Sequence, residues 1–212
     1  MPKSTFFNLS EEKKERILEA AIDEFAENPY ESASINKIVK NSEIAKGSFY
    51  QYFEDKKDLF KYLIEICETE RVRYIEEVNQ NKSYLNHFRI MRECYKANIK
   101  FFIEKPKLSS IINKFSKNTD SNLKKEILED LSLENNYSFE SILKEGVDKG
   151  SIYYNVDIEF ISYLLENIGF IIKEYAKDKK KKDGYVNYDS IIDSAIDLIE
   201  NGIKDKKEVV GV

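Results

Sequence analysis

Residues 46–57 read KGSFYQYFEDKK. Phe49, Tyr50, Tyr52 and Phe53 are crowded together, Gly47 stands just before them, and Lys56 and Lys57 follow. At about 100° of helix per residue, Ala45, Phe49, Tyr52 and Phe53 share one side. Phe49 and Phe53, a helical turn apart, are expected to be buried. The opposite side carries Gly47 and Gln51, flanked by Lys46, Ser48 and Tyr50. That side is polar, small and aromatic, and it suits contact with a nucleic-acid duplex.

Upstream, Ser34 opens a short helix, INKIVKN, with Ile35, Ile38 and Val39 apolar. A turn at Asn41, Ser42 and Glu43 leads into a helix from about Ile44 to Phe53. Before both, Ser10 precedes EEKKERILEAAIDEFAEN, in which Ile17, Ala20, Ala21 and Phe25 recur at helical spacing. Asn28, Pro29 and Tyr30 end that segment. Two short helices joined by a tight turn, with a first helix packed on them, form the skeleton of a helix-turn-helix.

In that arrangement the last helix enters the major groove, and each group has a role. Lys46 donates to guanine O6 or N7. Ser48 serves a base edge or a phosphate, and Gly47 lets the backbone come close. Tyr50 and Tyr52 aim hydroxyls at phosphates, which set register. Lys56 adds charge beside the amides of the next helix, and Asn36 reaches a base edge or a phosphate. The expected DNA-binding residues are therefore Ser34, Asn36, Lys46, Gly47, Ser48, Tyr50, Gln51, Tyr52 and Lys56. A helical hairpin that binds another protein gives the same pattern, so on the residues alone both readings stand.

The rest of the chain predicts an all-α fold of about nine helices. Its 212 residues include only seven glycines and three prolines. The helix-turn-helix domain is placed at 1–55 and a larger helical domain at 56–212. KKDLFKYLIEICETERVRYIEEV, HFRIMRECYKANIKFFIE and LSSIINKF read as helices. One long helix is expected from a cap at Asn118 to Asp120 through Gly146. IEFISYLLENIGFIIKEYA and YDSIIDSAIDLIENGI follow, with KDKKKKDG at 177–184 as a basic loop and a frayed tail.

Net charge is −5, so any surface for nucleic acid must be local. Lysine, asparagine and isoleucine are abundant and arginine scarce, which reads as AT-rich coding, not as a sign of nucleic acid. Cys67 and Cys94 form no C-x-x-C pair and His87 is the one histidine, so neither a disulfide framework nor a zinc site is expected. The cysteines read as small core residues and His87 as a surface group. With no metal cluster, phosphate loop or nucleophile beside a base, the chain does not read as an enzyme, and no cofactor is expected. The start lacks the apolar segment of a signal peptide, and IGFII at 168–172 is too short to span a bilayer. A soluble, cytoplasmic protein is expected.

The segment resembles the TetR family of transcriptional repressors. Ser34 stands at the helix cap, Ile38-Val39 at the I-A pair, and Ser42-Glu43-Ile44-Ala45 at the turn. Gly47, the run Phe49-Tyr50-Gln51-Tyr52-Phe53, Lys56 and Leu59 complete the pattern, and RILEAAIDEFAENPYESASI resembles the preceding helix. The likeness is specific over residues 10 to 62. Glu43 replaces the turn glycine and Ala45 the serine cap, which costs about 1 kcal/mol unless Ser42 or Glu43 substitutes. Near the groove, Glu43 repels phosphate or accepts from a cytosine amine.

The resemblance implies a ligand-responsive repressor that binds a palindromic operator as a homodimer through a helical C-terminal domain. The alternative is a helical protein-interaction module without DNA binding. The expected dimer interface is Phe160, Leu164, Ile168 and Ile171 with Ile192, Ala195, Ile196 and Ile199, although both stripes also suit a monomer core. Candidate residues around a small-molecule effector are Phe88, Met91, Tyr95, Phe102, Phe115, Tyr137, Phe139 and Tyr163. Their rings imply an apolar or aromatic effector.

Overall fold

The computed structural model describes residues 1–79, 86–131 and 138–204. Among them lie eleven helices and no strand: α1 (Ser4–Phe7), α2 (Glu11–Glu27), α3 (Ile35–Asn41), α4 (Lys46–Tyr52), α5 (Lys56–Asn79), α6 (His87–Glu104), α7 (Pro106–Asn118), α8 (Ser121–Asp130), α9 (Phe139–Asp148), α10 (Ile158–Asp183) and α11 (Tyr188–Ile203). The all-α expectation holds. α1 is an addition, because its four residues are too few to show a period. The expected long helix through Gly146 is represented by α8 and α9, since Ser138 starts a fresh helix by accepting from Ser141 N. Among the described residues no helix is long and apolar enough to cross a membrane.

The chain forms two compact units, Met1–Val72 with Phe102–Leu133, and Arg73–Phe101 with Glu134–Val212. The first of these takes in α7 and α8 as well as the residues up to 72. Ile111 and Phe115 of α7, with Ile127 of α8 and Leu131 just after it, share a core with Phe25, Phe49, Phe53 and Phe60. Apolar faces of α7 and α8 that have left water alongside these rings belong to the first unit whatever their distance along the chain.

Within the first unit, α2 serves both ends of α3. Glu24, 5% exposed, accepts from the Ser34 amide at 2.9 Å, and Arg16 Nε donates to Ser42 O at 3.0 Å. Lys56 gives its ammonium to three carbonyls, of Tyr30 (2.7 Å), Glu31 (3.2 Å) and Ala33 (3.1 Å), and lies 4.6 Å from the Tyr30 ring centroid. An ammonium has three protons, so these acceptors match its full capacity. The α5 start is closed reciprocally: Asp58 N donates to Asp55 Oδ1 at 2.8 Å, while Asp58 Oδ2 accepts from Glu54 N at 3.1 Å. Glu43, in the turn, has φ 54°, the left-handed region that glycine occupies freely and a glutamate does not.

The second unit packs Phe88, Met91, Tyr95, Leu165, Ile192 and Ile196 into a core. His87 is buried here, not on the surface: its Nδ1 lies 2.7 Å from Ser151 Oγ. Gly146 lies close by: a Cβ there would lie 2.5 Å from Ile152 Cδ1 and 3.3 Å from His87 Cγ. α10 absorbs the lysine run expected to be a loop. Lysines favour a helix and suit its negative C-terminal end, and Gly184, at φ 72°, supplies the stop. Both cysteines are buried, and burial pushes the Cys67 thiol up, which keeps it protonated.

Two substitutions test this part of the fold. Lys56→Met should lower unfolding stability by about 2 kcal/mol in urea denaturation, because three carbonyls lose their donor. Glu43→Gly should raise it by about 1 kcal/mol by relieving the left-handed backbone.

Candidate nucleic-acid interface

α4 is seven residues long, too short to persist alone, so packing sets its orientation. Phe49 and Phe53 are fully buried, 5.4 Å apart between ring centroids. They lock the helix on the side the spacing predicted. The other side then faces out: Lys46, Gly47 and Gln51 are exposed, Tyr50 is 44% exposed, and Ser48 is half-buried. Tyr50 stands edge-on to Phe49 at 5.2 Å, which steadies a ring that otherwise meets solvent.

Gly47 is the informative position. Apart from its chain neighbours and the adjoining helix backbone, no atom of the described residues lies within 4 Å of where its Cβ would sit. Glycine in a helix costs about 1 kcal/mol relative to alanine. Among the described residues, packing gives no reason for a glycine at this position.

Charge has the matching sign. Residues 34 to 53 carry Lys37, Lys40, Lys46 and Glu43, with Lys37 also lying 3.7 Å from Glu24 Oε2, against a net charge of −5 for the chain. Asn36, Lys40, Glu43 and Lys46 are all exposed. The first amides of α4 receive no side-chain cap. Ser42 does not stand in for the missing serine, because its hydroxyl donates to Ile38 O at 2.7 Å.

Three expected contact residues are placed differently. Tyr52 is 6% exposed, with its ring beside Phe6 (6.4 Å) and the Lys13 ammonium 5.5 Å from its centroid. The helical wheel put it at the edge of the buried stripe, and α1, invisible to that wheel, covers the edge. Lys56 has its ammonium engaged by the carbonyls at 30, 31 and 33 and does not stand ready for a phosphate. Ser34 is half-buried and occupies the N-cap position without a side-chain cap bond.

The other candidates divide as follows. Phe88, Met91 and Tyr95 are buried in the second unit, with Phe139 stacked on Tyr95 at 5.0 Å. Tyr95 Oη donates to Leu165 O, and burial drives its pKa up. Phe115 lies in the core of the first unit, to which Phe102 also belongs, so neither joins that group. Tyr163 is 62% exposed, and Tyr137 lies outside the described residues. On the expected dimer face, Phe160 and Ile171 are 54% and 61% exposed, and Leu164 and Ile168 are half-buried. Ile192 and Ile196 have no exposed area, because α11 turns them into its own core, with Ala195 and Ile199 half-buried beside them. Leu198, 77% exposed, is the outward residue the periodicity missed.

Known proteins share this construction. The family of bacterial regulatory proteins described as the tetR family matches residues 17–63. The HTH-type transcriptional regulator QacR of Staphylococcus aureus (strain Mu50 / ATCC 700699) is 31% identical over 170 residues, spanning 73% of this chain and 80% of QacR. The biofilm operon icaADBC negative transcriptional regulator IcaR of Staphylococcus aureus (strain Newman) is 33% identical over 70 residues, 33% of this chain and 37% of IcaR. A solved TetR family transcriptional regulator from Chloroflexus aurantiacus J-10-FL superposes with a TM-score of 0.72 at 27% identity, covering 97% of this chain and all of that one (100%). With its outward-facing α4 and a match along most of QacR, the chain belongs to the tetR family of bacterial regulatory proteins and is a DNA-binding transcriptional regulator.

Proposed function

We propose that the protein is a homodimeric repressor that docks α4 from each subunit into successive major grooves of a near-palindromic operator, and that a small molecule in the second unit releases it. The observation that carries the duplex contact is Gly47, a helix glycine with open space around it on the exposed, lysine-bearing side of α4. Lys46 and Gln51 read base edges, Ser48 a base edge or phosphate, and Tyr50 and Asn36 hold the backbone. Tyr52, covered by α1, and Lys56, engaged by three carbonyls, are left out of this set of contacts.

Support for the dimer is the row Phe160, Tyr163, Phe170, Ile171 and Tyr175 along α10, with Leu198 of α11, all exposed in the single chain. Charged or polar residues would be expected on a solvated face, and a two-fold dimer supplies the pair of α4 helices a palindrome needs. Tyr95 and Phe139, with Phe88 and Met91, support an apolar or aromatic effector. Such a molecule shifts the protein from its operator only by binding the released form more tightly. A cytoplasmic location fits this role.

The direct test is selection from a pool of random duplexes. Enrichment of a near-palindrome with half-sites about 10 base pairs apart, bound in a salt-sensitive manner, is expected. No enrichment would sink the DNA reading and favour the protein-interaction module.

Gly47→Ala gives opposite signs in two assays: thermal stability rises by about 1 kcal/mol, while affinity for the selected duplex falls. Stability and affinity changing in the same direction would count against close approach at this position. Ile171→Asp should yield monomers in analytical ultracentrifugation and lose tight operator binding, with the helical content of the chain retained.

A further inference from the structure

The C-terminal end of α4 exposes three carbonyls that the helix itself leaves without donors. Phe53 N closes the final turn on Phe49 O at 2.9 Å, and Glu54 N turns instead to Asp58 Oδ2 at 3.1 Å. This leaves Tyr50, Gln51 and Tyr52 O. All three are taken by one short segment outside the helix-turn-helix. Lys3 N donates to Tyr52 O at 2.8 Å, the Lys3 ammonium donates to Tyr50 O at 3.0 Å, and Thr5 Oγ1 donates to Gln51 O. The ammonium also meets the negative end of the helix dipole. Phe6 anchors the segment: it is 1% exposed, 5.0 Å from Phe53 and 5.9 Å from Tyr62 between centroids.

We propose that residues 3–6 are a positioning strap, which holds the backbone of α4 at the angle that specific DNA binding needs. The proposal rests on the DNA-binding reading above. Tyr50 and Gln51 present their side chains outward while their own carbonyls are held by Lys3 and Thr5, so the strap acts on two of the contact residues directly. Readout groups tolerate displacements of only about 0.5 Å or 10–20°. The rings of Phe49 and Phe53 fix which side of α4 is buried, and the strap fixes its far end. Lys3, Thr5 and Phe6 touch no base in this scheme and act through α4 alone.

The variants follow from the geometry. Lys3 has φ −72°, which proline shares, so Lys3→Pro removes both donors without bending the strap. Thr5→Val removes the third donor and keeps its shape, and Thr5→Ser keeps the hydroxyl. Each full-length protein is titrated with the duplex selected by the wild type and with a scrambled duplex of equal length. The temperature is one at which circular dichroism shows the variant fully folded.

The strap predicts that Lys3→Pro and Thr5→Val each bind the selected duplex about tenfold more weakly. Affinity for the scrambled duplex and the salt slope stay as in wild type, and Thr5→Ser recovers selected-duplex binding. Amide exchange at residues 50–53 should quicken in Lys3→Pro while that of α2 does not change. Equal losses on both duplexes, or wild-type binding by both variants, would overturn the strap while leaving DNA binding intact. A wild type that selects no duplex overturns the DNA reading itself, and the strap with it.

Discussion

The burial of Phe49 and Phe53 is the constraint on which the rest of this structure depends. Each ring is fully enclosed, and together with Phe6, Phe25 and Phe60 they form an aromatic core under a seven-residue helix. Burying such a side chain stabilises by about 2 to 3 kcal/mol, far more than seven residues of helix propensity provide. The side of α4 that meets solvent is therefore whatever side the two rings leave. Lys46, Gly47, Tyr50 and Gln51 are outward because Phe49 and Phe53 are inward.

A domain built from short helices has many helix ends for its size, and each end leaves polar groups to satisfy. Here those groups are served mostly from a distance. Glu24 takes an amide at the start of α3, and Arg16 a carbonyl after its end. Lys56 gathers three carbonyls of the connection between α2 and α3, and Ser110 of α7 donates to Ala26 O at 2.9 Å at the end of α2. The helix-turn-helix is held by apolar packing beneath and by charged or hydroxyl groups at its ends. This arrangement leaves its outer face without structural duties.

Much of this was legible in the chain itself. The 3.6-residue period placed Phe49 and Phe53 inside and Gly47 and Gln51 outside, because those assignments depend only on spacing within one helix. The positions that differed depend on something spacing does not contain. Tyr52 lies at the edge of the stripe, and α1 decides on which side of the water it falls. Lys56 looked like a free charge until the 30–33 carbonyls came within its reach. Ile192 and Ile196 share an apolar stripe with Ala195 and Ile199, and a stripe does not say whether its partner is the same chain or another. His87 looked exposed because a lone histidine has no pattern, yet Gly146 and Ile152 close over it.

The sequence by itself determined most of the helices, the inner face of α4, and the glycine, lysine and aromatic pattern on its outer side, since these rest on local geometry and hydrophobic period. The tertiary structure alone decided which of the outward polar groups remain available. It engaged Lys56 and covered Tyr52, and it laid Lys3 and Thr5 across the end of α4. The physical reason is that a hydrogen bond is decided by distance in space. Residues 3 and 52 become neighbours only when Phe6 and Phe53 leave water together.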